Sequence, residues 1–597
     1  MHFDDILKQY LGEFGRYQKI QYVLVCLPTI FTAMHTLSWT FTGAKMDHRC
    51  LYPNESKNAS YAYENEIDQH WIENASRLVD TFGKNQSFCE RLSGVKFNDP
   101  LSANPRDYHT EKCASGGYAW DTSLMDYSAV RYWELNCDKS WTRSFVQSMY
   151  YIGQFFGSLI LGPLSDKIGR KTVFFIAIMI QIACGAVMAY LPWWPLFAIF
   201  RIGVGFAHPG IFLVAVVIGM ELVGPSRRML GGIASGLFFA AGQIVLGALA
   251  YFIRDFRNFQ LTISLPAIVF ISYWWLVPES ARWLLSQRRF LDADRILQRA
   301  AKINQRTLPA NWYEQIDVEQ KPQPPRETKK GFQGIYEGYA SLFRTPNIRK
   351  RTLLASCICW PAVSMVYYGL AMNPSFMGGD NRLGFIVGGI LEFPSLIIVL
   401  LTINTIGRKF LCMVGFLLAG LCLFTTMFVL WIDSSAETTI MVLVVIGKSA
   451  LTGVYAILYI FTPELFPTTV RSTAMGLCSM IARVGAVSAS YIALYLADVS
   501  KIAACSIFAV LATAAGFACI GLPETAGQPF LETIEEAEHF GKHLPMFKFL
   551  EKKNRQPGGM TSSNEPAQEM LMKSAPATDE HKSEIAAAPN DIEAKNV

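Results

Sequence analysis

"GPLSDKIGRK" (residues 162–171) lies between two apolar runs, and a worn copy, "TINTIGRK", returns at 402–409. The turn gathers Asp166, Lys167, Arg170 and Lys171 in a chain that is 51% hydrophobic, 13% aromatic and only 17% charged. Over 597 residues, that composition points to a body immersed in lipid rather than to several soluble domains. Working outward from the turn, apolar stretches of roughly 20 residues, enough to cross about 30 Å of hydrocarbon, cover most of the sequence. About twelve can be marked, at 20–43, 144–163, 172–191, 195–218, 229–252, 259–277, 352–373, 383–403, 410–431, 437–460, 473–495 and 502–522.

"IGRK" recurs at 168–171 and 406–409, each time after the second span of a half, and "PES" at 278–280 recurs as "PET" at 523–525 after the last. The halves read as repeats. The fold class that follows is an all-α membrane protein with twelve transmembrane helices in two pseudo-symmetric six-helix halves and a cavity between them. The first bundle covers 20–277 and the second 352–522, joined by a polar cytosolic linker at 278–351. Within the linker, "RRFLDADRILQRAAKIN" has the periodicity of an amphipathic helix lying on the membrane face. Residues 1–19 form a cytosolic N-terminus and 523–597 a cytosolic tail, whose composition predicts disorder after about 541.

Orientation follows from the basic residues. Short connections read as cytosolic carry Lys167, Arg170, Lys171, Arg227, Arg228, Arg408, Lys409 and Arg471, against Arg254, Arg257, Arg382 and Lys501 outside. Both termini are then cytosolic. The polar segment 44–143 is extracellular, with acceptor sequons at Asn54, Asn58, Asn74 and Asn85. It also holds Cys50, Cys89, Cys113 and Cys137, which suggest two disulfides in any of three pairings. The formal charge of +5 is spread over loops without a basic stripe, so nucleic-acid binding has no support.

The charged turns read as a cytosolic latch. Asp166 can pair with Arg170, Glu221 with Arg227 and Arg228, Glu279 with Arg282, and Glu464 with Arg471, while Arg408 repeats Arg170 in the second half. Partly desolvated pairs of this kind are worth about 1 to 3 kcal/mol, enough to bias a two-state equilibrium. Opening toward the cytosol would have to break them. The alternative is a set of solvated turns that obey only the charge asymmetry of membrane topology.

"GPLSDKIGRK" resembles the signature turn of the major facilitator superfamily. "DHRC" (47–50), "PESARWLL" (278–285), "YYGL" (367–370), "PELFPTTVR" (463–471) and "PETAGQPFLETIEE" (523–536) resemble solute carrier family 22, the organic cation, anion and zwitterion transporters. The resemblance runs over positions 1–540, with the motifs in order. It departs at Asn404, which stands where Asp166 sits in the first half, and at Ala281, in a slot often filled by proline. It implies a plasma-membrane carrier.

Three charges fall near mid-membrane: Glu392, Lys448 and Arg483. Each lies about 15 Å from its membrane surface at 1.5 Å rise per residue, a depth that costs several kcal/mol unless the charge is paired or hydrated. Lys448, Thr452, Tyr455 and Tyr459 form one helical stripe, and Gly476, Ser479, Arg483, Ala486 and Ser490 another. Trp360, Ser364 and Tyr367 form a third, with Phe212 a contribution from span four. Aromatic walls hold organic groups by area and ammonium groups by cation–π attraction worth about 0.5 to 2 kcal/mol. The competing reading is that Glu392 merely neutralises Lys448 or Arg483 and braces the bundle.

By the resemblance, the Arg483 slot holds Asp in cation carriers and Arg in anion and carnitine-type carriers, whereas Leu396 stands where anion carriers often have Lys. An Arg in a low-dielectric cavity is a bidentate partner for a carboxylate and repels a bare cation. With Glu392 and the aromatic rings suited to an ammonium, the combination favours a small organic zwitterion, carnitine-like or amino-acid-like. Cation carriage, anion carriage and a non-transporting membrane sensor are the alternatives. His35 and His208 are isolated, and neither metal-ligand spacing nor a phosphate-binding "GxxxxGK[ST]" loop occurs, so no catalytic site, metal, cofactor or ATP is expected. A coupling ion, sodium or proton, stays open.

Overall fold

Lipid offers no partners to a backbone, so each apolar run must satisfy its own amides and folds as a helix. The computed structural model describes residues 7–56, 59–62, 66–82, 88–101, 108–114, 116–224, 228–309, 312–313, 339–373, 381–433, 435–467, 470–528, 531 and 534–540. Eleven helices among them are long and apolar enough to cross a membrane: α1 (Arg16–Thr42), α3 (Arg170–Tyr190), α4 (Trp194–Leu222), α5 (Leu230–Phe252), α6 (Phe256–Leu276), α7 (Pro346–Met372), α8 (Arg382–Ile406), α9 (Arg408–Ile432), α10 (Glu437–Leu465), α11 (Arg471–Val499) and α12 (Lys501–Gly521). Helix α2 (Trp141–Ile168) has the length but is more polar, because it buries Arg143, Gln147 and Gln154. Phe252, Trp275, Leu401 and Trp431 stand exposed on the outside of the bundle, as side chains facing hydrocarbon would.

Each half packs within itself, and the halves meet where α2 lies on α11 and α5 on α8. Small residues permit the tight α2–α4 crossing: a Cβ on Gly153 would run into the Ile202 carbonyl, and one on Gly157 into that of Phe206. Backbone cannot yield as a side-chain tip can. Gly157→Ala is therefore expected to cost about 1 to 3 kcal/mol, read as a lower Tm of the purified protein; an unchanged Tm would contradict this packing.

The repeated "IGRK" turn has a structural cause. Gly169 and Gly407 adopt φ of +106° and +112°, a region L side chains avoid. A Cβ on either would also strike a carboxylate, Glu279 in the first half and Glu524 in the second. Those carboxylates accept hydrogen bonds from the first amides of the next helix. Glu279 Oε1 takes Arg170 N at 2.9 Å and Lys171 N at 3.1 Å. Glu524 takes Arg408 N at 2.9 Å and Lys409 N at 3.1 Å. A negative charge at a helix N-terminus is favourable, which explains why "PES" and "PET" repeat together with the turn.

Between α1 and α2, two small antiparallel ribbons form, His48–Cys50 with Tyr118–Trp120 and Glu90–Leu92 with Thr110–Lys112, and the second packs with the helix Glu66–Phe82. The disulfides are Cys50–Cys113 and Cys89–Cys137, which selects one pairing from three. Asn54 is exposed and Asn74 half-buried on its helix; Asn58 and Asn85 lie outside the described residues, as do Arg227, linker residues 314–338 and the tail from 541.

The linker helix Phe290–Ile303 forms where its periodicity predicts. Part of its apolar face packs on protein: Leu297, Ala300 and Ala301 are buried with Leu7, Leu11 and Tyr17. Asn304 fixes this contact, donating to Leu11 O at 3.0 Å and to Gln18 Oε1 at 2.8 Å, and accepting from Tyr17 N at 2.8 Å.

Candidate functional site

The charges of the repeated turns form two clusters. In the first half, Arg170 pairs with Asp166 at 2.8 Å and Glu221 at 3.5 Å. Asp166 is 73% exposed and Glu221 15%, so the Glu221 contact is the less screened of the two. In the second half, Arg408 Nε donates to Glu464 at 3.1 Å and Nη2 at 3.3 Å, while Thr525 Oγ1 donates to the same carboxylate at 2.5 Å.

Helix packing adds partners that sequence proximity did not suggest, while Asp166 meets Arg170 as expected. Glu221 pairs with Arg170, Glu464 with Arg408, and Glu279 accepts from the backbone amides of α3. Arg282 lies in the short helix Ala281–Ser286, and Arg471 Nε donates to Phe466 O at 3.4 Å. The pairs of Arg170 with Asp166 and Glu221 and of Arg408 with Glu464 are internal to their own halves and brace neighbouring helices of one bundle, so separating the two bundles breaks none of these three. Ion pairs joining the halves sit at the opposite end, where Asp498 of α11 meets Arg143 of α2 at 3.0 Å and Lys45 at 3.7 Å.

At mid-depth the structure brings together Glu392, Lys448 and Tyr367. Helix α8 is interrupted at Leu391, so Glu392 opens its second segment, Glu392–Ile406. Lys448 pairs with Glu392, both fully buried. The ammonium also donates to Gln243 Oε1 of α5 at 3.0 Å and lies 5.1 Å from the Tyr367 ring centroid. Tyr367 donates its hydroxyl to Glu392 at 3.1 Å. The pair neutralises itself, and Gln243 ties it across the interface.

Arg483 is placed differently. It is 5% exposed, its Nε and Nη1 make no hydrogen bond, and among the described residues no carboxylate pairs with it. Its neighbours are the phenols of Tyr368, Tyr455 and Tyr459. The Tyr455 hydroxyl and Ser364 Oγ are buried without partners as well. Trp360 packs edge-on to Tyr459 at 4.9 Å and Tyr455 at 5.9 Å, and Tyr367 lies 5.2 Å from Tyr368. A π-helical segment, Leu353–Cys359, immediately precedes Trp360; such segments often mark functional sites. Phe212 stands apart from this box, against His208 at 5.8 Å and Phe239 at 6.0 Å. A chain of ring contacts runs from it to the box through His208, Tyr150, Tyr151 and Tyr368.

Sequence reasoning passed over Gln243, Tyr368 and Arg201. Arg201 is fully buried in α4, donates to Ser38 Oγ at 3.0 Å and Gln147 Oε1 at 2.7 Å, and lies over the rings of Trp39 and Tyr150. The rule that drew attention to Arg483, a charge inside an apolar run, applies equally to Arg201.

Two helix bundles flanking a polar, aromatic-lined interior define a membrane solute carrier. The structure aligns with the inward-open xylose transporter XylE from E. coli at a TM-score of 0.54 and 16% identity, covering 87% of this chain and 99% of that one. A family model described as "Sugar (and other) transporter" matches residues 96–537. The Drosophila melanogaster "Organic cation transporter protein" is 37% identical over 545 residues, 91% of this chain and 95% of that protein. The Xenopus laevis "Solute carrier family 22 member 6-B" is 31% identical over 544 residues, 90% and 95% of the two chains. The chain belongs to the major facilitator superfamily and, within it, to solute carrier family 22. It is a multi-pass membrane transporter of small organic solutes, not an enzyme.

Proposed function

We propose that this protein is a plasma-membrane carrier of small organic zwitterions, working by alternating access of two bundles to one central site. The observation that carries the reading is the asymmetry of the buried charges: Glu392 and Lys448 neutralise each other, whereas Arg483 has no anionic partner among the described residues. A buried guanidinium without a counter-charge costs several kcal/mol, and a solute carboxylate would relieve that cost through a bidentate, charge-assisted contact. The solute ammonium would lie against the faces of Tyr368, Tyr455 and Trp360, where desolvated cation–π contacts are worth up to about 2 kcal/mol.

A second reading, organic cation carriage, is favoured by the name of the Drosophila relative. It requires Glu392 to leave Lys448 for the solute. Uptake into proteoliposomes separates the readings. Labelled carnitine should accumulate saturably and faster than labelled tetraethylammonium. Equal or faster tetraethylammonium uptake would support the cation reading, and saturable binding without accumulation would support a sensor.

A further inference from the structure

The extracellular segment 121–127 runs between the two halves. It is stitched to the first half by backbone: Asp126 N and Tyr127 N donate to Arg254 O at 3.0 and 3.2 Å, and Phe256 N donates to Tyr127 O at 2.9 Å. The Arg254 side chain adds to this grip, donating to Thr122 O and, at 3.1 Å, to Ser123 O, and pairing with Asp126 at 3.0 Å. Arg254 lies in the α5–α6 connection. The second half reaches the same segment from α8, where Arg382 Nη2 donates to Leu124 O and, at 3.2 Å, to Ser123 O. The Ser123 carbonyl thus sits between one guanidinium from each bundle. Arg382 also lies 5.3 Å over the ring of Tyr251 at the outer end of α5, so both of these contacts go to the first half.

We propose that residues 121–126 form a clasp that holds the extracellular mouth closed, and that Arg382 is the residue that fastens it to the second bundle. The geometry assigns the two ends different roles. Backbone hydrogen bonds make the clasp a permanent part of the first half, while among the described residues its hydrogen bonds to the second half come from one guanidinium, whose Nη2 can release both carbonyls together. The α5–α8 seam beneath it is close-packed, with Gly247 against Ile386 and Gly389 against Ile244, so the seam cannot part while Arg382 stays bound. The Arg143–Asp498 pair closes the opposite α2–α11 seam, and the mouth opens only when both release. The extracellular domain is then a moving part of the transport cycle as well as a cover. This inference concerns the outer gate and does not depend on which solute is carried.

The experiment uses the full-length protein in cells, with a reporter cysteine at Ile386→Cys on the outer seam or Leu237→Cys on the inner part of α5. In Arg382→Ala, labelling of Ile386→Cys by an impermeant thiol reagent added outside should rise about tenfold, the scale set by losing charge-assisted hydrogen bonds. Labelling of Leu237→Cys from the cytosolic side should fall. Arg382→Lys, which keeps the charge but not the fork, should lie between, and it serves as the test if the alanine variant does not reach the surface. Unchanged labelling at Ile386→Cys in both variants would overturn the clasp. So would increased labelling at both reporters, which would mean that α8 had merely loosened.

Discussion

Arg483→Ala is expected to abolish zwitterion uptake while leaving surface expression intact. Removing one partner of a buried, hydrogen-bonded charge pair costs about 2 to 5 kcal/mol, at least about thirtyfold in affinity. The protein itself should tolerate the change, because no carboxylate in the described residues depends on Arg483. Removing an uncompensated buried charge also eases a folding penalty, so Tm should stay level or rise. Arg483→Asp should go further and reverse preference, admitting tetraethylammonium and excluding carnitine. Kinetics equal to wild type in Arg483→Ala, with the protein at the surface, would remove the carboxylate role.

The second large effect concerns the sealed pair. Lys448→Met strands Glu392 in the interior and should destabilise the protein by about 3 to 5 kcal/mol, whereas Glu392→Leu combined with Lys448→Met should recover most of that loss. Thermal unfolding of the two purified variants measures both. Recovery would identify the pair as mutual neutralisation. A double variant as unstable as the single one would place the cost elsewhere, in the hydrogen bonds from Lys448 to Gln243 and from Tyr367 to Glu392.

Much of the architecture was legible because charge is rare in this chain. A repeated glycine-basic turn inside apolar sequence announces two halves, and Glu392, Lys448 and Arg483 stand out against hydrophobic runs. Gln243 carries no charge and hardly disturbs an apolar stretch, so its bridge to Lys448 had no sequence signal. The role of Glu279 and Glu524 was half visible: the repeat was seen, but its partners are backbone amides, which composition never displays. Sequence proximity drew attention to Arg227, Arg282 and Arg471, whereas helix packing also brings Arg170 to Glu221 and Arg408 to Glu464. The gate at Arg143 and Asp498 escaped notice because charges at span ends look merely solvated. Disulfide pairing was open because closure entropy varies too slowly with loop length to rank the three choices.

The linker shows the same principle from another side. Its helix was correctly placed by periodicity, yet periodicity reports only that one face is apolar, and the N-terminal Leu7 and Leu11 cover part of that face.

The measurement that bears most directly on the central claim is competition against labelled carnitine uptake by three matched compounds: the unlabelled zwitterion, the same molecule lacking its carboxylate, and the same molecule lacking its ammonium. If Arg483 grips a carboxylate and the tyrosine box an ammonium, the zwitterion should compete at least about tenfold better than either truncated form, since each contact is worth more than about 1.4 kcal/mol. Equal competition by the carboxylate-free amine would contradict the account.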